Sequence, residues 1–200
     1  MLAKERFYSF LLKKNITIIF ITIIFIGCFG SLKAIEKISI INNFNSSETL
    51  KFDFTQKSFD KNEKGVCFLK RPYFLRCQYK DENQKELIIN NRVLVIYHRR
   101  YNKIYRYPVS QSFFTDILNK QKFSELISSG ENLPNKNFIE IKYFNKNKGE
   151  ITLFFNKKNY NLNGWRLVDI NNNITLLKIE NLIKNSDIKK NFFLIPEENQ

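Results

Sequence analysis

Gly65-Val66-Cys67-Phe68-Leu69-Lys70-Arg71-Pro72-Tyr73-Phe74-Leu75-Arg76-Cys77-Gln78-Tyr79 reads as two strands, GVCFLKRP and FLRCQY, separated by the turn residues Arg71-Pro72-Tyr73. A hairpin centred on Pro72 sets residues equidistant from it opposite one another, so Cys67 faces Cys77. Strand alternation then sorts the hairpin into two faces. One carries Cys67, Leu69, Arg71, Leu75, Cys77 and Tyr79, the other Val66, Phe68, Lys70, Phe74, Arg76 and Gln78. The first face is apolar except at its end, where Arg71 stands. Such an arginine is either a latch, its five donors offered to backbone carbonyls of whatever covers the apolar surface, or a side chain snorkelling into solvent. The cysteines are left between a disulfide and two small buried thiols, and opposed Cβ atoms about 4.5–5.5 Å apart, somewhat long for a bridge, lean toward the thiols.

Outward from the hairpin the same period continues. LKFDFTQKSF precedes it, and ELIIN, RVLVIYH and KIYRY follow, making six strands in series. The breaks, Lys61 to Gly65, Arg71-Pro72-Tyr73, Asp81 to Gln84 and Asn90-Asn91, are short and turn-forming, so the strands form an antiparallel meander. Asn90-Asn91 suits a two-residue type I′ turn. Ahead of the sheet, Ile35, Ile38, Ile41 and Phe44 mark a short amphipathic helix docked on it. Ser112 to Ser129 has helical spacing, either one broken helix or two short ones, with Ser112 and Gly130 as caps. FIEIKYF, EITLFF, WRLVDI, ITLLKIE and FFLIP then bring the count to about eleven strands, with turns at Asn147-Lys148-Gly149, Asn163-Gly164 and Asn171 to Asn173. A long antiparallel sheet interrupted once by helices curls, and a curled sheet has an inside. The class is mainly β (α+β).

The amino terminus reads as an export signal. Lys4, Arg6, Lys13 and Lys14 precede an uncharged apolar run from Ile16 to Gly30, too short for the roughly 20 residues of a membrane span but suited to a signal h-region. Residues 1–34 are expected to be a signal peptide, cleaved after Gly30 or after Ala34, and residues 35–200 to be one domain. Phe25-Ile26-Gly27-Cys28 offers the alternative of a lipobox, with Cys28 lipidated. Losing residues 1–34 removes Lys4, Arg6, Lys13, Lys14, Lys33 and Glu5 and lowers the formal net charge from +14 to +10. For an exported chain that charge favours anionic membrane surfaces and no nucleic acid. A composition heavy in Lys, Asn and Ile accounts for the same charge without any partner.

Little catalytic chemistry is legible. His98 is the only histidine, it ends an apolar strand beside Arg99 and Arg100, and no nucleophile elbow accompanies it. Acidic residues are scattered singly and no glycine-rich phosphate loop occurs. The expectation is no enzyme, no cofactor and no metal. Trp165, the only tryptophan, is read as core filler or as a ligand contact.

Phe54-Thr55-Gln56, Gly65, Phe68-Leu69-Lys70-Arg71-Pro72 and VLVIYH, taken in order with Leu167-Val168-Asp169, ITLLKIEN, Asn185-Ser186-Asp187-Ile188 and Phe192 to Pro196, resemble the LolA family of periplasmic outer-membrane lipoprotein carriers. The resemblance covers nearly all of residues 35–200. It implies an unclosed β-barrel with helices covering an apolar cavity that receives acyl chains, and it makes Arg71 the latch that bonds the backbone of the lid. Leu69, Leu75, Cys77, Ile88 and Val95 are the expected cavity lining. The implied partners are outer-membrane lipoproteins, an inner-membrane ABC-type lipoprotein-releasing transporter and any outer-membrane acceptor, served by a monomer in the periplasm. Leu75 and Cys77 depart from the family's usual Phe and Trp, and Asn90-Asn91 replaces its Asp-Gly turn. The rivals are a membrane-anchored acceptor of the same fold lipidated at Cys28, a structural or adaptor β protein of the envelope, and an exported hydrolase.

Overall fold

A computed structural model describes residues 34–59 and 61–197. The signal-peptide reading of residues 1–34, apart from Ala34, and the Cys28 lipobox lie outside the described residues. The chain divides into two compact units, Met1–Ile38 and Ser39–Gln200. In the first, residues 34–38 are helical; the second opens with the helical residues 39–45, here α1.

Eleven strands follow: β1 (Thr49–Ser58), β2 (Lys61–Lys70), β3 (Phe74–Tyr79), β4 (Lys85–Asn90), β5 (Val93–His98), β6 (Lys103–Pro108), β7 (Glu131–Leu133), β8 (Phe138–Asn145), β9 (Gly149–Asn156), β10 (Leu162–Val168) and β11 (Ile174–Lys184). They form one antiparallel sheet in the order β6-β5-β4-β3-β2-β1-β11-β10-β9-β8-β7. First and last strands pair, so the two edges, β6 and β7, lie in the middle of the chain. Among the described residues no ladder joins them, and the barrel is unclosed. The segment between these edges carries α2 (Phe114–Leu118) and α3 (Lys120–Ser129).

The central hairpin has the expected register: Cys67 opposes Cys77, Leu69 opposes Leu75, and Gly65 opposes Tyr79. Cys67 and Cys77 are joined as a disulfide with Cα atoms 4.0 Å apart. Gly65 is required where β1, β2 and β3 meet, since a Cβ there would fall on the Gln78 carbonyl oxygen and lie 2.7 Å from the Phe54 ring.

Several local expectations fail for identifiable reasons. Lys61 to Gly65 is strand, not turn, and the chain reverses just after Ser58. The β4–β5 turn sits one residue later than Asn90-Asn91, at Asn91-Arg92, with Asn91 at φ 56°. Asn163-Gly164 lies inside β10 at a bulge, and the reversal falls between Asn156 and Leu162. FFLIP is not a strand: Lys190–Phe193 is a 3-10 turn, and the eleventh strand is the short β7. The interrupting helices break at Asn119, whose side chain accepts the Lys122 N–H at 3.0 Å; Ser112 caps neither, its hydroxyl donating instead to Val109 O. Of the expected stripe on the first helix, Ile35 and Ile38 are exposed, whereas Ile40, Ile41 and Phe44 pack on the core. A strict spacing of three drifts around a 3.6-residue helix, and the buried face follows the i, i+4 pair instead.

The concave face of the sheet and the inward faces of α1, α2 and α3 share one core. Phe52, Phe54, Ile141, Leu153 and Phe155 come from the strands, and Phe44, Ile117 and Phe123 from the helices. Each fully buried Phe or Ile contributes about 1.5–3 kcal/mol. The convex face of β2–β5 is covered separately by residues 188–195: Ile188 and Phe193 pack on Phe74, and Ile195 on Ile88 and Val95. There Glu86, buried, is ion-paired with Arg76 and Arg99, and Arg76 Nη1 donates to Phe192 O at 2.8 Å.

Candidate functional site: an apolar interior closed at Arg71

The interior between sheet and helices is lined by Leu50, Phe52, Leu69, Leu75, Leu162, Trp165, Ile179 and Leu182 on the strand side and by Phe44, Phe114, Ile117 and Leu118 on the helix side. Every one of these side chains is apolar. Leu69 and Leu75 both lie in this lining. Cys77 is buried on the same face, bridged to Cys67 beside the lining. Ile88 and Val95 are corrected: Ile88 opposes Arg76 and Val95, so both point to the convex face and belong to the cluster under Ile195. Leu87-Ile88-Ile89 is apolar throughout because β4 is buried on both faces, and nothing in that run reveals which residue faces in.

The interior leaves about 20 Å³ open to the centre of a water-sized sphere, room for about one water and far too little for an acyl chain. This is a closed form, with the helices packed down onto the strands. Trp165 lies edge-on to Phe114, ring centroids 6.3 Å apart, and faces the interior across from α2.

Polar contacts fasten the helices at several places among the described residues: Asn43 of α1 donates to Asn159 O at 3.1 Å and Asn161 Oδ1 at 3.0 Å and accepts from Lys184 Nζ at 2.7 Å, and two further places engage α2 and α3. At one, Arg71 ends the β2 arm, 6 % exposed, its guanidinium 4.2 Å from the Phe44 ring centroid. Its Nη1 donates to Asn45 Oδ1 at 3.0 Å, and Asn45 Nδ2 donates in turn to Ser124 Oγ at 2.9 Å and Lys120 O at 3.4 Å. Arg71 thus reaches α3 through a side chain at the end of α1. The resemblance had it bonding lid backbone directly. Lys120 pairs with Glu48, and the Phe44 ring sits 4.1 Å from that of Phe123, centroid to centroid. Among the described residues the Nε and Nη2 of Arg71 are buried without a hydrogen-bond partner. Burial lowers its pKa from 12.5 to about 10, opposed by the nearby Glu48 carboxylate. A guanidinium held this way makes the closed form costlier than an apolar residue would. At the other place, Lys148 Nζ bonds Asp116 Oδ2 at 2.5 Å and Thr115 Oγ1 at 3.0 Å, tying α2 to the β8–β9 turn.

Phe44 belongs to the apolar stripe read from the sequence, but no sequence signal pointed to Asn45 or Lys148, which act through tertiary contacts that pair residues far apart in the chain. His98 ends β5, edge-on to Tyr105. Among the described residues no three His, Cys, Asp or Glu side chains cluster to hold a metal, and no helix is long and apolar enough to cross a membrane.

An unclosed antiparallel barrel with an all-apolar interior, roofed by helices that polar side chains fasten from the sheet, defines a lidded β-barrel architecture. The family model described as outer membrane lipoprotein carrier protein LolA matches residues 45–196, and the chain belongs to the LolA family. An uncharacterized conserved protein from Thermus thermophilus is similar in structure with a TM-score of 0.51 at 10 % identity, over 80 % of this chain and 94 % of that one. A LolA superfamily protein from Nitrosomonas europaea aligns at 0.43 and 10 %, over 78 % and 96 % of the two chains. The Mycobacterium tuberculosis lipoprotein LppX aligns at 0.44 and 8 %, over 80 % and 99 %. None of the curated proteins compared matches by sequence.

Proposed function

We propose that the protein is a periplasmic carrier that accepts lipoproteins released from the inner membrane, shields their acyl chains between the sheet and α1–α3, and delivers them to the outer membrane. The observation that carries this reading is the fully apolar interior closed by helices that Arg71, through Asn45, fastens by polar contacts. Each CH₂ exposed to water costs about 0.8 kcal/mol, so acyl chains do not cross an aqueous gap uncovered.

With about 20 Å³ free, cargo enters only by displacing the helices. Acyl groups then replace Phe44, Ile117 and Leu118 against Leu50, Leu69 and Leu75. That exchange is apolar for apolar, and its net free energy is small. Release therefore needs no energy source beyond a better apolar site at the destination. Arg71 sits where opening exposes it: leaving the closed form rehydrates the guanidinium and breaks its bond to Asn45, two effects of opposite sign that keep open and closed forms close in free energy.

The reading is tested by isolating the protein from a periplasmic fraction and examining what accompanies it. Triacylated lipoproteins, displaced by an apolar dye that fluoresces in the interior, are the expected companions. A preparation free of lipoprotein and lipid that also fails to take up the dye would leave a filled structural core as the better reading.

A further inference from the structure

Every strand runs antiparallel to its neighbours, so successive turns alternate between the two ends of the barrel. The end opposite Arg71 gathers the turns after β1, β3, β5, β8 and β10. At four of those five a large apolar side chain stands out in solvent: Phe59 at 74 %, Tyr101 at 56 %, Phe144 at 66 % and Ile170 at 67 % exposure. The turns after β2, β4, β7 and β9, at the Arg71 end, present only Tyr73, at 43 %, and the strand ends there add Tyr107 at 46 % and Ile183 at 51 %. Phe59 holds φ 49°, a left-handed conformation that bulky side chains avoid, and it does so with its ring in water.

These tips belong to one surface. Gly149 seats the β8–β9 turn against Val168 and Asp169, where a Cβ would collide with the Val168 carbonyl, so the Phe144 and Ile170 turns lie side by side. Between the β1–β2 and β10–β11 turns lies an open hollow of about 420 Å³, floored by Ile174 and Leu176 beside Phe59 and flanked by Lys57 and Arg166. Arg100 and Lys103 flank Tyr101 and are exposed. The acids nearby are mostly engaged. Asp169 accepts the Asn171 and Asn173 N–H groups at 2.8 Å each, and Asp81 accepts that of Lys85 at 2.9 Å. Glu82 stands in the one turn that has no apolar tip.

We propose that this end of the barrel docks on a phospholipid surface bearing anionic headgroups, with Phe59, Phe144 and Ile170 entering the headgroup–acyl boundary and Lys57, Arg100 and Lys103 meeting phosphates. Separated apolar tips set among cations have the composition of an interfacial anchor; a protein-binding site would gather them into one continuous apolar patch. None of the tips lines the interior, so docking and cargo burial fail separately.

The test is flotation of the full protein with vesicles of equal phosphatidylcholine and phosphatidylglycerol, and with phosphatidylcholine alone. The triple variant Phe59→Ser, Phe144→Ser, Ile170→Ser is expected to lose at least about tenfold in partitioning onto the mixed vesicles. A control triple, Tyr73→Ser, Ile183→Ser, Leu194→Ser, should change less than about twofold. Parent binding should fall several-fold on phosphatidylcholine alone. Phe59→Trp should show a blue-shifted emission on mixed vesicles. All variants should keep the parent's melting temperature and dye uptake. The proposal is overturned if the tip variant floats as the parent does, or if the Phe59→Trp emission does not move. A tip variant that floats normally but loses a co-purifying protein would assign the tips to a protein partner instead.

Discussion

Replacing Arg71 by Leu separates a latch from a structural prop, because the two roles predict opposite changes in stability. The guanidinium is 6 % exposed, and burial holds its pKa at about 10 against an ordinary 12.5, which corresponds to a penalty of about 3 kcal/mol on the charged form. Against this stand one hydrogen bond to Asn45 at 3.0 Å, worth about 1 kcal/mol, and the stacking on Phe44, worth about 1 kcal/mol more. Leucine removes all three and packs beside Leu69 and Phe44. The variant should therefore be more stable by about 1 kcal/mol, raising the melting temperature by about 2–4 °C for a chain of this size. In the open form the same leucine extends the apolar wall, so acyl chains are held more tightly and delivery slows by at least about tenfold. Thermal unfolding followed by circular dichroism and an in vitro transfer assay from loaded carrier to outer-membrane vesicles read the two effects. A melting temperature lowered by about 5 °C or more would make Arg71 a prop, and delivery at the parent rate would end the latch reading.

Four other outcomes follow from the same structure. Gly65→Ala should cost about 2 kcal/mol and lower the melting temperature by about 4–8 °C, because backbone and the Phe54 ring occupy the space its methyl needs; an unchanged melt would show that β2 and β3 can shift apart. Reducing the Cys67–Cys77 bridge, which spans 10 residues, should destabilise the fold by about 2–3 kcal/mol, and non-reducing mass mapping that finds both thiols free would rule the bridge out. The Tyr79 hydroxyl donates to Gln56 Oε1 at 3.2 Å, and burial first, then Glu63 and Asp81, raises its pKa well above the usual value. Its contribution is thus complete below about pH 10 and is lost as pH rises further, while the unfolded phenol ionises and the folded one does not; Tyr79→Phe should flatten the alkaline limb of stability, and an identical limb would contradict this. Mass spectrometry of the mature protein should find an unmodified amino terminus at Ser31 or Ile35, whereas a diacylglyceryl Cys28 would convert a shuttle into an anchored acceptor.

What the sequence revealed and what it hid divide along a physical line. The Pro72 hairpin was legible because a single proline turn fixes its register, and from that register follow the Cys67–Cys77 pairing and the inward face of Leu69 and Leu75. One hairpin further on, the inference broke. The Asp81–Gln84 turn does not set register, Leu87-Ile88-Ile89 is apolar on both faces, and the wrong residues of β4 and β5 were assigned to the interior. The carboxyl-terminal Phe192 to Ile195 looked like a strand because it is apolar, but it is apolar in order to cover the convex face. Lys61 to Gly65 looked like a turn because it is polar and ends in glycine, yet its glycine serves a close approach inside the sheet. Arg71 was visible as an arginine closing an apolar face. Its partner Asn45 was not, since an asparagine at a helix end carries no mark of what it will bond.

The gap between β6 and β7 has a consequence for what the protein can hold. In a closed barrel, circumference is set by strand number and shear, and widening it means breaking ladder hydrogen bonds. Here the circumference has a free join, and the segment bridging it is the same segment that forms two of the three covering helices. Lifting those helices and spreading the seam are therefore one motion, made without loss of a single strand-to-strand hydrogen bond. In the proposed carrier, capacity would then be adjustable: the wall would yield by bending, and its girth would follow the girth of what lies within.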